Sequence, residues 1–467
     1  MAMTGALIRG AHIETRNNRV QHLLRHEAEK GCLRELSSVP VALEPPYRSL
    51  TSMRSFHDLR DEPVADSTDP VDPISLRAFQ IWLAPEEECR WKRSEMFIRQ
   101  LQIVDRRIRF EILGNDHRCL LALVVSEVDV PVVKAAFRGT FQQSRLVELT
   151  AHPLLDLAST AWRRVRMREW APPAPYSHLL TQHDELADSP FFTVTHALSL
   201  IPAPALGIYQ IVFEPVRHDW HQNIQTLLDA EYEWRMTNAT LAHLHYGQAY
   251  PSGDRHFMAE DVEGKAHNDR PVFAAAMRAA VIGELDAEGL LLGLSSFAGL
   301  LQHGGRPLEH QDDAALHTFG ADGTRQMLVA GDTHRPGFIV NSSELTSLVH
   351  LPRTEIVTAA PKWLEPLETL IPDGSLDQGV YLGNCQSGGT GIPVHRPDEV
   401  RLKHTHTLGA SGTGKTTLMA NMIKEDITQG DGVAVIDPHG DFSQDLLAML
   451  GPVEVDQVVY MDWSDPQ

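Results

Sequence analysis

Apolar and polar positions between residues 74 and 150 switch repeatedly between a period near 2 and a helical one. "SLRAFQIWLA" (75–84) mixes aromatic and β-branched residues and predicts a strand. "PEEECRWKRSEMFIRQLQ" (85–102) opens on Pro and acids, which suit a helix N-terminus, and carries a loose stripe of Trp91, Met96, Ile98 and Leu101. "RIRFEILG" (107–114) alternates as a strand, with Ile108, Phe110 and Ile112 on one face. "CLLALVVS" (119–126) is a buried type of strand, "DVPVVKAAFRGTFQQ" (129–143) a helix with Pro131 in its first turn, and "RLVELT" (145–150) a closing strand. The order βαββαβ predicts a ferredoxin-like domain over 74–150, a fold that by itself implies no function.

Residues 151–357 read as a second α/β accessory domain. "PFFTVTHALSLI" (190–201) and "LGIYQIVFEP" (206–215) predict paired strands, and 218–247 a long helix stopped at Gly247. "PVFAAAMRAAVIG" (271–283) predicts a further strand and 289–302 a helix. "GFIV" then "NSSELTSLVHL" (337–351) predicts a strand running into a helix capped by Asn341 and Glu344 and stopped by Pro352. Residues 1–73 form an N-terminal segment whose end, "HDLRDEPVADSTDPVDP" (57–73), is acidic, proline-rich and poor in apolar residues. It therefore reads as a disordered linker.

The pattern changes again over 358–467. Two short strands flank a Gly-rich turn in 379–396, and "HTLGASGTGKTTLMA" (406–420) fits G-x-x-x-x-G-K-[ST]. Gly409, Gly412 and Gly414 let the backbone approach oxygens that a Cβ would obstruct. The amides following them are expected to converge on a phosphate at a helix N-terminus. Ser411, Thr413 and Thr417 lie in the same loop. Lys415 is expected at the β/γ-oxygens, and Thr416 as the hydroxyl ligand of Mg²⁺. The amphipathic helix 415–430 and the apolar run "GVAVID" (432–437), read as a strand buried on both faces, complete a strand–loop–helix–strand context. Together with 404–408 and 457–461 this gives three core strands, the first part of a P-loop NTPase sheet of RecA-like type. The cofactors that follow are ATP and Mg.

Composition narrows the reading. A net charge of −21 argues against a broad nucleic-acid-coating surface but leaves room for a narrow basic channel. Four cysteines without CxxC spacing argue for isolated thiols, and the histidines on 218–245 for solvated side chains rather than a metal site. No run approaches 18 apolar residues; "CLLALVVSEVDVPVVKAAF" (119–137) is broken by Glu127, Asp129 and Lys134.

From "HTHTLGASGTGKTTLMANMIKEDITQGDGVAVIDPHGDF" (404–442) the chain resembles the HerA/FtsK superfamily of motor ATPases, most closely the coupling-type ATPases of type IV secretion and conjugation. The resemblance rests on the phosphate loop and on a strand ending in Asp437-Pro-His-Gly-Asp441. It implies a hexameric ring that threads DNA, or in the secretion branch protein, with nucleotide between neighbouring subunits and secretion-machinery proteins as partners. It also implies a cytoplasmic location or one peripheral to the inner membrane. Asp437 matches an acidic strand end that orients the nucleotide or a neighbouring subunit; capping of the "PHGD" turn is the equal alternative. Neither "VAVIDP" (433–438) nor "VVYMDW" (458–463) follows its Asp with a second acid. The Walker B acids, arginine finger and pore loops are therefore expected beyond Gln467, and the chain is expected to bind ATP weakly and hydrolyse little. Three functions stay open: a DNA translocase, a secretion ATPase acting on protein, and a non-catalytic nucleotide-binding scaffold.

Overall fold

The computed structural model describes residues 36–47, 49, 65–83, 91–142, 144–172, 179–226, 229, 264–265, 269–283, 287–303, 306–311, 319–352, 376, 378–387, 390–401, 403–409 and 412–462. The chain divides into two compact units, Met1–Glu365 and Pro366–Gln467.

The first unit is built on one sheet. Its strands are β1 (Leu76–Trp82), β2 (Ile108–Gly114), β3 (Cys119–Ser126), β4 (Arg145–Glu148), β5 (Arg166–Ala171), β6 (Leu206–Pro215), β7 (Val272–Ile282), β8 (Glu309–His310) and β9 (Phe338–Asn341). The order is β8-β5-β7-β6-β2-β3-β1-β4, with β9 also on β7, and every pairing is antiparallel. Its β2-β3-β1-β4 end, with helices α1 (Trp91–Gln100) and α2 (Val130–Thr140), has the βαββαβ order expected for 74–150. The sheet does not end there. β2 bonds to β6 from Ile108↔Phe213 to Gly114↔Gly207, so the second α/β region continues the same sheet.

Five helices cover one face: α1, α2, α3 (Phe191–Ser199), α4 (Ala287–Leu294) and α6 (Ser342–Leu348). Phe97, Phe137, Phe191, Leu291 and Leu345 from them join Phe110, Tyr209, Ile211 and Phe273 of the sheet in a single core. α5 (Gly320–Ala330) lies on the opposite face, where two smaller apolar clusters flank a polar row. Glu111, Gln210, Arg278 and Glu169 stand side by side across β2, β6, β7 and β5, in register and almost wholly buried. The last carbonyls of a helix lack partners within it, and Gln210 and Arg278 of this row, with Arg109 of β2, supply them. Arg278 Nη1 donates to Met327 O at 2.9 Å, Gln210 Nε2 to Leu328 O at 2.8 Å, and Arg109 Nη1 to Val329 O. Gly331 (φ 80°) closes the helix, with its N–H on Met327 O.

Some expectations change. Residues 190–201 are not a strand: Phe191–Ser199 is helical. Its buried residues Phe191, Val194, Thr195 and Leu198 fall at i, i+3, i+4 and i+7, and the Ser189 hydroxyl accepts the Phe191 N–H at 3.1 Å. Packing on the sheet here outweighs the strand preference of aromatic and β-branched residues. β6 therefore pairs with β2 and β7 instead. Residues 220–226 are helical, and the rest of the helix expected to Gly247, apart from residue 229, lies outside the described residues. Within the segment read as a linker, 65–73 is held in place. Thr68 N donates to Pro40 O, Val71 N to Asp332 Oδ1, and Gln326 Nε2 to Val71 O. The capping box at Asn341 and Glu344 is present as expected.

In the second unit β10 (Val380–Ser387) and β11 (Thr390–Arg396) form the expected hairpin. Helices α7 (Lys415–Gln429) and α8 (Asp441–Met449) follow. The three core strands are not formed: 404–408, 432–437 and 457–461 carry no strand pairing. "GVAVID" is not buried on both faces, since Ile436 is 95% exposed and Val433 38%. An extended segment becomes a strand only when a neighbour pairs its N–H and C=O groups, and no described residue does so here.

Candidate nucleotide site

The site lies at the start of α7. Gly414 (φ 85°) is its N-cap and Gly412 (φ 81°) precedes it in the same left-handed region, so the chain curls immediately before the helix. Gly409 is required for a different reason. A Cβ there would lie 2.5 Å from Thr413 Oγ1 and 3.2 Å from Lys415 Cγ. Lys415 Nζ donates to Gly409 O at 2.6 Å, so the lysine reaches back across the loop and closes it. Thr413, Thr416 and Thr417 are exposed along this first turn, while Ser411 lies outside the described residues. Gly430 (φ 87°) ends α7: its N–H bonds Ile427 O at 3.0 Å and Asp431 N bonds Asp426 O at 2.9 Å, the paired arrangement that satisfies helix-end carbonyls.

This geometry suits an anion. The first N–H groups of α7 have no helical acceptor, the helix dipole is positive there, and the first turn holds no acid. The two left-handed glycines, one ammonium and the adjacent hydroxyl of Thr416 fit a polyphosphate with its magnesium ion. No group of three or more His, Cys, Asp or Glu among the described residues could hold a metal. A magnesium site built from one hydroxyl, phosphate oxygens and water needs no such group.

Asp437 does not stand free at a strand end. Its Oδ1 accepts the His439 N–H at 3.1 Å, and its Oδ2 accepts the Ser443 N–H at 3.1 Å and the Ser443 hydroxyl at 3.4 Å. The His439 amide holds the carboxyl below its ordinary range; desolvation opposes it, and the amides of Ser443, Gly440 and Phe442 add to the lowering. Ser443 escaped sequence reasoning; the signal was a Ser at the third helical position behind an upstream Asp. α8 packs on α7, and Thr428 of α7 donates to Glu454 Oε1 at 3.4 Å. α7 also meets β10, where Tyr381 N donates to Glu425 Oε2 at 3.0 Å. No helix among the described residues is long and apolar enough to cross a membrane.

Residues 380–463 match the family model of the central domain of helicase HerA. The matched segment includes the phosphate loop, α7 and α8, and it supports a P-loop ATPase module of the HerA/FtsK class. No curated protein matches the chain.

Proposed function

We propose that the protein is the ATP-binding part of a ring-forming ATPase that translocates DNA, of the coupling-protein or HerA-like kind that serves type IV secretion or conjugation. The observation that carries this reading is the helix N-terminus at Lys415, preceded by left-handed Gly412 and Gly414 and with the Lys415 ammonium turned back to Gly409 O, inside the segment matched by the HerA central domain. Bound ATP with magnesium supplies the phosphoryl chemistry. The chain's own residues bind and orient it. Lys415 would hold the phosphate oxygens in place of the Gly409 carbonyl it now bonds, the amides of the first turn of α7 would hold the phosphate, and the Thr416 hydroxyl would hold the metal. The acidity of the chain, −21 overall, favours a second cargo, a protein substrate handled by the same motor.

The test is ATP binding and steady-state hydrolysis by the full chain, with and without DNA or unfolded protein, beside Lys415→Ala. DNA-stimulated turnover that the substitution abolishes supports the translocase. Stimulation by protein alone selects the second cargo. Nucleotide binding without turnover fits a motor lacking its second acid as well as a scaffold, and the two are then separated by whether DNA or unfolded protein changes the nucleotide affinity: a change supports the motor, none the scaffold. Nucleotide binding untouched by Lys415→Ala removes the assigned site.

A further inference from the structure

We infer that Asp437 serves the nucleotide site as a positioning residue, not as a ligand of magnesium: its carboxylate holds the 437–440 turn and the first turn of α8. The inference rests on the nucleotide-binding reading above and assigns a role within it.

An acid 22 residues after the phosphate-loop lysine, at the end of an apolar run, invites a metal role. The geometry gives it other work. An ionised carboxylate offers about four lone-pair directions. Three of Asp437's are occupied, by His439 N–H, Ser443 N–H and the Ser443 hydroxyl. The first bond is an Asx turn; the second reaches an amide in the first turn of α8 that has no acceptor inside the helix. Gly440 (φ 83°) supplies the left-handed residue between them. Magnesium binds at about 2.0–2.1 Å and in near-octahedral geometry. To ligate it, Asp437 would release these donors and uncap α8. As it stands the carboxylate puts a negative charge at the positive end of α8, and α8 in turn packs on α7, whose N-terminus is the proposed phosphate site. The influence of Asp437 on nucleotide thus runs through helix placement, and Thr416 is left as the protein ligand of the metal.

Asparagine and alanine together separate the two roles: asparagine brings no charge to a metal but keeps one acceptor oxygen for the turn or for α8, and alanine keeps none. The full chain, with Asp437→Asn, Asp437→Ala and Thr416→Ala, is titrated with a fluorescent ATP analogue at varied Mg²⁺. Amide hydrogen exchange over 437–447 is followed in the same proteins. The expected result for Asp437→Asn is a Mg²⁺ midpoint within about twofold of wild type, with protection retained at only one of His439 and Ser443, because the two amides are bonded to different carboxylate oxygens and the amide side chain keeps one. Asp437→Ala loses that protection and binds nucleotide roughly 3- to 10-fold more weakly, a lost cap's worth, with the Mg²⁺ midpoint unmoved. Thr416→Ala shifts the midpoint by about tenfold or more. A tenfold shift in Asp437→Asn, or full protection in Asp437→Ala, overturns the inference. Failure of the wild-type protein to bind the analogue is a different result: it removes the nucleotide reading itself, and is visible before any variant is compared.

Discussion

Glu111 is a carboxylate sealed in the second face of the sheet, fully buried, with His152 Nε2 at 2.7 Å from Oε2 and Gln210 Nε2 donating to Oε1 at 2.9 Å. Burial pushes its pKa up; His152, the Arg109 guanidinium and Gln210 outweigh that and bring it down from 4.5 to about 2. A depressed carboxylate contributes stability that is present above its unfolded pKa and is lost as pH falls through the folded one. The contribution, roughly 3 kcal/mol, is therefore expected to disappear between pH 4.5 and about 2. Urea unfolding at stepped pH should show this acid limb in the wild type and a flatter one in Glu111→Gln. At neutral pH that variant should be less stable by about 3–5 kcal/mol, since Arg109 and His152 lose their charged partner. An unchanged acid limb in Glu111→Gln would assign the titration elsewhere. Arg278 obeys the same logic. Its guanidinium is 0% exposed and bonds Glu169 Oε1, Met327 O and Asp332 O. Arg278→Ala should remove the guanidinium from Glu169 Oε1 and from the Met327 and Asp332 carbonyls, leaving Glu169 with Arg335 and Met327 O with the Gly331 N–H, and should cost about 3 kcal/mol. Far-UV thermal melts of the two variants would show whether both fall together.

At the scale of elements, the strongest local signal was the one at Asn341. Its side chain accepts from Ser343 N and Glu344 N at 3.0 Å, and Glu344 Oε2 receives Asn341 N at 2.7 Å. The Asn-x-x-Glu spacing made that legible. What it could not show is that Glu344 has a second duty, accepting Lys265 Nζ and Leu180 N, both at 2.7 Å, on Oε1. The two duties predict different costs. Asn341→Ala removes a cap and should destabilise by about 0.5–2 kcal/mol. Glu344→Gln leaves an ammonium buried against Ile339 O without its counter-ion and should cost about 3–5 kcal/mol. Equal losses in chemical denaturation would show that the Lys265 pair carries no weight. The misreading of 190–201 has the same origin in reverse. Phe, Val and Thr in that run favour a strand, yet helical spacing was there as well, and only the sheet face beneath α3 decides between them. The helix start at Lys415 and the glycines before it were legible because they lie in consecutive residues, and the structure has Gly412 and Gly414 left-handed ahead of α7; the phosphate they would hold belongs to the proposal. The flanking strands were not legible, because a strand is defined by partners distant in sequence, and for 404–408 and 432–437 none is among the described residues.

For the whole first unit, the decisive fact is the β2–β6 junction. Seven register pairs join them, and every residue of β2 is buried. The βαββαβ pattern over 74–150 was readable because each of its elements has a clean period. That its sheet continues past β2 was not, since β6 lies about 100 residues downstream and an edge strand and a central strand can share one alternating pattern. The row Glu111–Gln210–Arg278–Glu169 runs straight across this junction, so the two halves share a polar network as well as backbone bonds. Residues 74–150 alone would present β2 as an open edge, with Ile108, Phe110 and Ile112 stripped of Tyr209, Ile211 and Phe213, and Glu111 without Gln210. Such an edge pairs with whatever strand it meets. Expressed alone, 74–150 should therefore aggregate or self-associate, and 74–352 should melt in one transition with no separate step for the first four strands. Size-exclusion chromatography and calorimetry decide it: a soluble, cooperatively folded monomer of 74–150 would mean that the β2–β6 bonds are an interface between two domains, not the middle of one.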